Sequence, residues 1–392
     1  EGVTERKIYL DYILDHYSKT PMKKCKPLIR SLLRMGAYQI LFMDVRDAAA
    51  CSEAVSLAKK RGFGRLSGFV NGVLRTLVRE KENLPVPDKK DDVKYVSITY
   101  SVPEWLSKLI IEQYGKESAE KIFASFLEAR PLTIRTNLSK TTPEELEKEL
   151  EEAGVKVEKG NYLPYAFTIS NLNYLGKIAA FRQGKFAVQD ESSQLAVAIA
   201  DINEGDFVLD VCAAPGGKTF HAADRLKGAG KVLSRDLTEY KTELIEENKD
   251  RMHYENVEED ESLLESVDVL LADLPCSGLG IMGRKNDIKY QMTEEQLGEL
   301  AALQRQILSV VWKYVKPGGQ MIFSTCTLNK GENAENIKWI EENTPLHLVS
   351  IEEYLPQNLK NRTGSQGYLQ LIPGEDTCDG FFISKFKRPE AK

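Results

Sequence analysis

A chain of 392 residues, 42% hydrophobic and 29% charged, is long enough for two or three domains with their own cores, and its composition excludes a disordered or fibrous protein. No apolar run approaches the roughly 18 residues needed to cross a bilayer, so a membrane partner is not expected. Six cysteines with no CxxC pair argue against a secreted disulfide scaffold and leave a reducing cytoplasm as the expected compartment.

The net charge of −6 hides an asymmetry: residues 1–80 hold 15 Lys and Arg against 8 Asp and Glu, a net of +7, which leaves −13 for the rest. The first residue is Glu1 and not Met, so the chain is expected to begin inside a longer one. Residues 4–80 repeat apolar side chains at spacings of three and four, as in Ile8, Leu10, Ile13, Leu14 and in Ile29, Leu32, Leu33, Ala37, Ile40, Leu41. This predicts a small all-α domain over 1–80. Its basic residues gather as Lys23, Lys24, Lys26, Arg30, Arg34 and as Lys59, Lys60, Arg61, Arg65, a pattern that fits a nucleic-acid surface or a solvated helix face equally well.

Residues 81–98, with two prolines and eight charges, read as an exposed linker. A small α+β domain is expected over 99–190: helical pattern at 102–128, a strand in LTIRTN at 132–137, and a charged helix at 142–154. From 191 to 388 strands and helices alternate. Helices are expected at 191–201, 217–226, 239–252, 294–315 and 331–342, and strands at 207–211, 231–237, 267–274, 320–325 and 380–385. Near-continuous apolar strands in such an alternation mean a Rossmann-like α/β domain with a doubly wound parallel sheet.

The strand at 207–211 runs into Cys212-Ala213-Ala214-Pro215-Gly216-Gly217-Lys218-Thr219, where an open α/β sheet places its ligand. A P-loop would need a glycine at Cys212, and a dinucleotide fingerprint needs GxGxxG, so ATP and nicotinamide cofactors are disfavoured. S-adenosylmethionine fits better. Its carboxylate suits a glycine turn at a helix N-terminus, and its ribose needs an acidic acceptor after the next strand, where Asp236 stands.

Cys212, Cys276 and Cys326 each follow a strand and are expected to face one crevice. Their wide spacing excludes a paired-ligand zinc site, and no metal is expected. Cys212, Cys25 and Cys51 read as small hydrophobes, whereas Cys276 in DLPCSG and Cys326 in STCT lie in polar loops. Two thiols, a carboxylate and a methyl donor suit methylation of pyrimidine carbon 5: one thiolate adds at carbon 6, Asp273 hydrogen-bonds or protonates N3, and the second cysteine removes the carbon 5 proton. The residues alone leave open which thiol is the nucleophile.

CAAPGGKT, DLPCSG and STCT, with the segment Phe69-Val70-Asn71-Gly72-Val73-Leu74-Arg75 and the late Asp379-Gly380-Phe381-Phe382, resemble the bacterial small-subunit ribosomal RNA cytosine-5 methyltransferases of the Sun (RsmB) type over essentially the whole chain. The resemblance implies an N-terminal domain like the antitermination factor NusB, a small RNA-recognition subdomain and a catalytic domain. It also implies Cys326 as nucleophile, Cys276 as the thiol that assists product release, the cofactor loop Cys212 to Lys218, Asp236 as ribose acceptor, and Asp273 between methyl donor and base. Lys218 adjoins the substrate by the same resemblance, and the enzyme type resembled acts at cytosine 967 of 16S rRNA. The expected partner is an unpaired or flipped cytosine of 16S ribosomal RNA, with the protein a monomer and the basic stretch 283–290 against the RNA backbone.

One stretch departs from that pattern. Only fourteen residues, 253–266, separate the helix at 239–252 from the next strand, with no strand-like run among them. Either a loop is omitted there or the third strand is lost, and Asp260 is the nearest acidic candidate for the adenine side. Transfer RNA as substrate, or an inactive RNA-binding assembly factor, are the alternative functions.

Overall fold

The computed structural model describes residues 1–172, 174–259 and 266–391. They form two compact units, Glu1–Leu127 with Met282–Gln291 and Glu128–Ile281 with Met292–Lys392.

The first unit is helical. Helices Lys7–Tyr17, Pro27–Phe42, Asp47–Lys60 and Ser67–Glu80 bury the apolar faces foreseen in the sequence, with Leu10, Ile13, Leu14, Leu33 and Leu74 fully enclosed. Each such side chain contributes roughly 1.5–3 kcal/mol. The expected linker 81–98 is only partly a loop, because a further helix covers Asp92–Tyr100. Its cap is hidden in the charge run: the Asp91 carboxylate accepts the Lys94 N–H, and Ser101 ends the helix at φ 56. Helices Glu104–Tyr114 and Lys116–Ser125 also group with this unit.

The segment Met282–Gln291 belongs to the helical unit too. The Lys289 ammonium is buried and donates to the Glu5 carbonyl at 2.8 Å, and desolvation brings its pKa down to about 8. The Tyr290 hydroxyl donates to the Ser101 carbonyl at 3.1 Å. The expectation that 283–290 lies along an RNA backbone is therefore corrected for Lys289, which spends its charge on holding this segment in place.

In the second unit, β1 (Leu132–Thr136), β2 (Lys156–Lys159), β3 (Ala166–Ser170) and β4 (Phe186–Val188) form an antiparallel sheet in the order β2-β3-β1-β4. Thr142 and Glu145 close a capping box at the start of helix Pro143–Glu152. The larger sheet holds β5 (Phe207–Asp210), β6 (Lys231–Ser234), β7 (Val257–Glu259), β8 (Val267–Asp273), β9 (Val315–Thr325), β10 (His347–Leu348), β11 (Tyr368–Leu371) and β12 (Phe381–Lys387). Its order is β10-β12-β9-β8-β5-β6-β7, with β11 paired to β12. Strands β5 to β9 run parallel, while β12 is antiparallel to β9, so the sheet is mixed at that edge.

The order reverses at β5, which puts a crevice at its carboxyl end. The third strand is not lost: β7 pairs in parallel with β6, Val232 opposite Val257. The helix Glu239–Met252 ends at His253 in a left-handed turn, φ 53, which leaves just enough chain for a three-residue strand. A run that short shows no alternation in sequence. The expected omitted loop and Asp260 fall outside the described residues.

Candidate active site

β5 ends at Asp210, whose Oδ2 accepts the Thr219 hydroxyl at 2.8 Å. Complete burial raises its pKa to about 6. The chain then folds over the strand end: Ala213 N–H donates to the Arg235 carbonyl at 3.0 Å and Gly216 N–H to the Ala213 carbonyl at 2.7 Å. The Pro215 carbonyl accepts Asn248 Nδ2 at 3.1 Å. Gly216 has φ +97 and a Cβ there would overlap the Phe220 ring, so the turn requires glycine. Gly217 opens helix Gly217–Arg225, whose first-turn amides lack intrahelical acceptors and suit a carboxylate.

β6 ends at Ser234, earlier than the sequence suggested, and the Arg235 N–H makes the last bond to β5, donating to the Asp210 carbonyl at 2.9 Å. Asp236 is thereby swung over the glycine turn. Its Oδ2 accepts Ala214 N–H at 3.0 Å, and its Oδ1 accepts Leu237 N–H and Lys241 Nζ, each at 2.7 Å. A carboxylate offers about four acceptor positions, so capacity for a ribose hydroxyl remains. Asp236, Leu237, Cys212, Ile307, Val311 and Tyr314 line a cavity of about 530 Å³, and Leu237 exposes 81% of its surface. An apolar wall beside a carboxylate fits a nucleoside, and with the glycine turn these residues fit S-adenosylmethionine.

Cys212 lines that cavity and packs on the cluster of Leu209 and Leu233. Burial pushes its thiol up to about 12, which keeps it protonated. Of the three thiols expected in one crevice, only two meet. β8 and β9 are neighbours with Asp273 opposite Ser324, so the loops that follow them leave side by side. Cys276 Sγ and Cys326 Sγ stand 3.3 Å apart as free thiols. The Cys276 pKa is held well above the usual thiol value by its hydrogen bond to Cys326 and by burial.

A charged pair lies near these thiols. Lys218 Nζ lies 2.6 Å from Asp273 Oδ2, the Ser324 hydroxyl donates to Asp273 Oδ1 at 2.8 Å, and the ammonium sits 5.1 Å from the centre of the Phe381 ring. Two donors on Asp273 favour an acceptor role for it over protonation of N3. Behind Phe381, Asp379 pairs with Arg130 at 3.1 Å, and Gly380 N–H donates to the Gly280 carbonyl at 2.9 Å.

Sequence reading passed over several residues. Asp210 read as part of a strand, Ser277 and Thr327 as part of polar loops, and Glu332 as part of a helix beginning at 331, whereas Glu332 lies before that helix with no exposed surface. Only their adjacency to the two cysteines could have flagged the first two of these loop residues. Among the described residues no cluster of His, Cys, Asp or Glu could hold a metal ion, and no helix is long and apolar enough to cross a membrane.

Fold and cofactor loop together define an S-adenosylmethionine-dependent methyltransferase. Comparison with known proteins narrows the class. The family described as 16S rRNA methyltransferase RsmB/F matches residues 197–387, the NusB family matches 1–79, and a RsmF/B-like ferredoxin-like domain matches 102–173. A probable ribosomal RNA small subunit methyltransferase B of Bacillus subtilis is 37% identical over 99% of this chain and 88% of its own length. The ribosomal RNA small subunit methyltransferase B of Vibrio cholerae is 30% identical over 98% and 86%. The crystal structure of PH0851 superimposes with a TM-score of 0.82 at 25% identity, covering 99% of this chain and 88% of that one. The chain belongs to the RsmB/F family.

Proposed function

We propose that this methyltransferase modifies carbon 5 of a cytosine in 16S ribosomal RNA through a covalent bond between Cys326 and carbon 6, at the position the resemblance implies, cytosine 967. The observation that carries the reading is the approach of two free thiols, Cys276 and Cys326, to 3.3 Å, beside the Lys218–Asp273 pair. Relatives named as small-subunit methyltransferases support the choice of RNA.

Residues 212–217 and Asp236 would hold S-adenosylmethionine, which when bound would supply an electrophilic methyl group. Carbon 5 of cytosine attacks such a group only when electron-rich, which a nucleophile at carbon 6 makes it. The base must be unpaired or flipped for a thiol to reach it. The two sulfurs stand within hydrogen-bonding reach at 3.3 Å, where the Cys276 S–H can point toward Cys326. Cys326 therefore receives a hydrogen bond when it carries charge, which suits it for attack.

As the Sγ–C6 bond forms, electron density moves to carbon 5 and onto the ring. Lys218 offers a donor for that charge and Asp273 an acceptor for the exocyclic amine. After methylation, carbon 5 must lose its proton so that its electron pair can re-form the C5–C6 double bond and expel the Cys326 thiolate. Cys276 is the base. The contribution that raised its pKa first was the hydrogen bond to Cys326, and that bond weakens once the Cys326 sulfur is a thioether.

The test uses small-subunit RNA lacking the modification and labelled cofactor, followed by nucleoside analysis and mapping. Labelled 5-methylcytidine is expected at one site. Cys326→Ala should abolish both label and covalent adduct, whereas Cys276→Ala should accumulate protein cross-linked to RNA on denaturing gels. An adduct with Cys326→Ala but none with Cys276→Ala reverses the roles, and label in any other nucleoside refutes the reading.

A further inference from the structure

We infer that Glu332 is a positioning residue that sets the separation of the two thiols, an inference that rests on the two-thiol reading above. Glu332 lies in the loop after β9, and its side chain is completely buried. Its Oε2 accepts the Ser277 N–H at 2.9 Å and Gln304 Nε2 at 3.1 Å. Its Oε1 accepts the Ser277 hydroxyl at 2.6 Å and Asn329 Nδ2 at 3.1 Å.

These hydrogen bonds converge on the cysteines. Ser277 directly follows Cys276, and the same Gln304 amide donates to the carbonyl of Pro275, which directly precedes it, at 2.8 Å. The Ser277 hydroxyl also lies 2.6 Å from the hydroxyl of Thr327, which directly follows Cys326. The carboxylate thus ties one peptide neighbour of Cys276 directly, and the other through Gln304, to the loop that carries Cys326. The four donors named are all neutral. A buried polar group costs more than an apolar residue of the same size unless its hydrogen bonds offset the loss of water, so stability alone does not account for it. What a carboxylate alone supplies is acceptor capacity for four donors at once.

The spacing matters because the two sulfurs act in turn on adjacent carbons of one ring, where a misplacement of about 1 Å costs on the order of a hundredfold in rate. Glu332→Gln keeps the size but turns an NH2 group toward donors. Two readouts are taken on the full-length protein. In the first, diamide, a two-electron oxidant that takes up both thiol protons as the disulfide forms, links Cys276 to Cys326, and mass spectrometry follows the rate. A slowing of about tenfold or more is expected. In the second, kcat on small-subunit RNA should fall about a hundredfold while KM for RNA and cofactor stays within about twofold.

The disulfide readout needs no RNA, so it separates failure of this inference from failure of the cytosine reading. Should Glu332→Gln not fold, Thr327→Val decides. It leaves the carboxylate in place, removes one lateral hydroxyl, and should slow disulfide formation roughly threefold. An unchanged disulfide rate or an unchanged kcat in the folded Glu332→Gln variant overturns the inference, as does an unchanged disulfide rate in Thr327→Val.

Discussion

Asp210 shows how a residue at the base of the cofactor turn bears an energetic cost. Its carboxyl is buried with one hydroxyl donor on Oδ2 and no side-chain partner on Oδ1, and its pKa rises from 3.8 to about 6. A folded-state pKa above the unfolded value means that the protonated form favours the fold. The contribution is fully present below about pH 3.8 and is lost as pH rises through about 6, by roughly 3 kcal/mol in all. Asp210→Asn has no charge to desolvate, and its amide oxygen still accepts from Thr219. Urea unfolding at pH 4 and pH 7 should show the variant gaining on the parent by up to that amount at the higher pH. Parallel stability curves for the two proteins would mean that burial is not what holds the Asp210 proton.

Between elements, a tight constraint is the approach of the Cys276 loop to the start of β12. Gly280 N–H donates to the Cys326 carbonyl at 2.9 Å while the Gly280 carbonyl accepts Gly380 N–H at 2.9 Å. A Cβ on Gly280 would collide with the Gly380 carbonyl, which is backbone and cannot rotate away. Gly280→Ala is therefore expected to destabilise the protein by roughly 1–3 kcal/mol, and a melting curve that matches the parent would show the approach to be loose. This junction also marks what was legible. Strand–helix alternation located the ends of β5, β8 and β9, and so the glycine turn and the two cysteines proposed to react, because one chain segment carries each signal. β7 was missed because three residues cannot show a period, and the helix at 92–100 because charges masked its Asp91 cap. The burial of Lys289 and Glu332 escaped the sequence for a deeper reason: it depends on partners far away in the chain, Glu5 and Ser277, which no local pattern encodes.

Over the whole molecule charge is divided unequally, and the division bears on RNA. A protein of net charge −6 should repel a polyanion, yet at physiological salt charges are screened beyond about 8 Å, so a local patch decides. The first 80 residues carry +7, but not every cation there is free to meet a phosphate. Arg34 is clamped by both oxygens of Asp11 at 2.7 and 2.6 Å, whereas Lys23, Lys24 and Lys26 are exposed on and beside the short turn Met22–Lys24. If these three lysines meet phosphates, replacing all of them with Ala should weaken binding of small-subunit RNA at low salt. It should also flatten the slope of log affinity against log salt by about 0.9 for each duplex phosphate that is no longer neutralised. Cofactor affinity should not change, because Asp236 and the glycine turn lie in the other unit. Filter-binding titrations at several salt concentrations measure the slope directly. An unchanged slope would make these lysines a solvated face and shift the binding of RNA to other exposed cations, of which Lys59, Arg75 and Arg79 line an open groove of about 1200 Å³ between the helices Asp47–Lys60 and Ser67–Glu80.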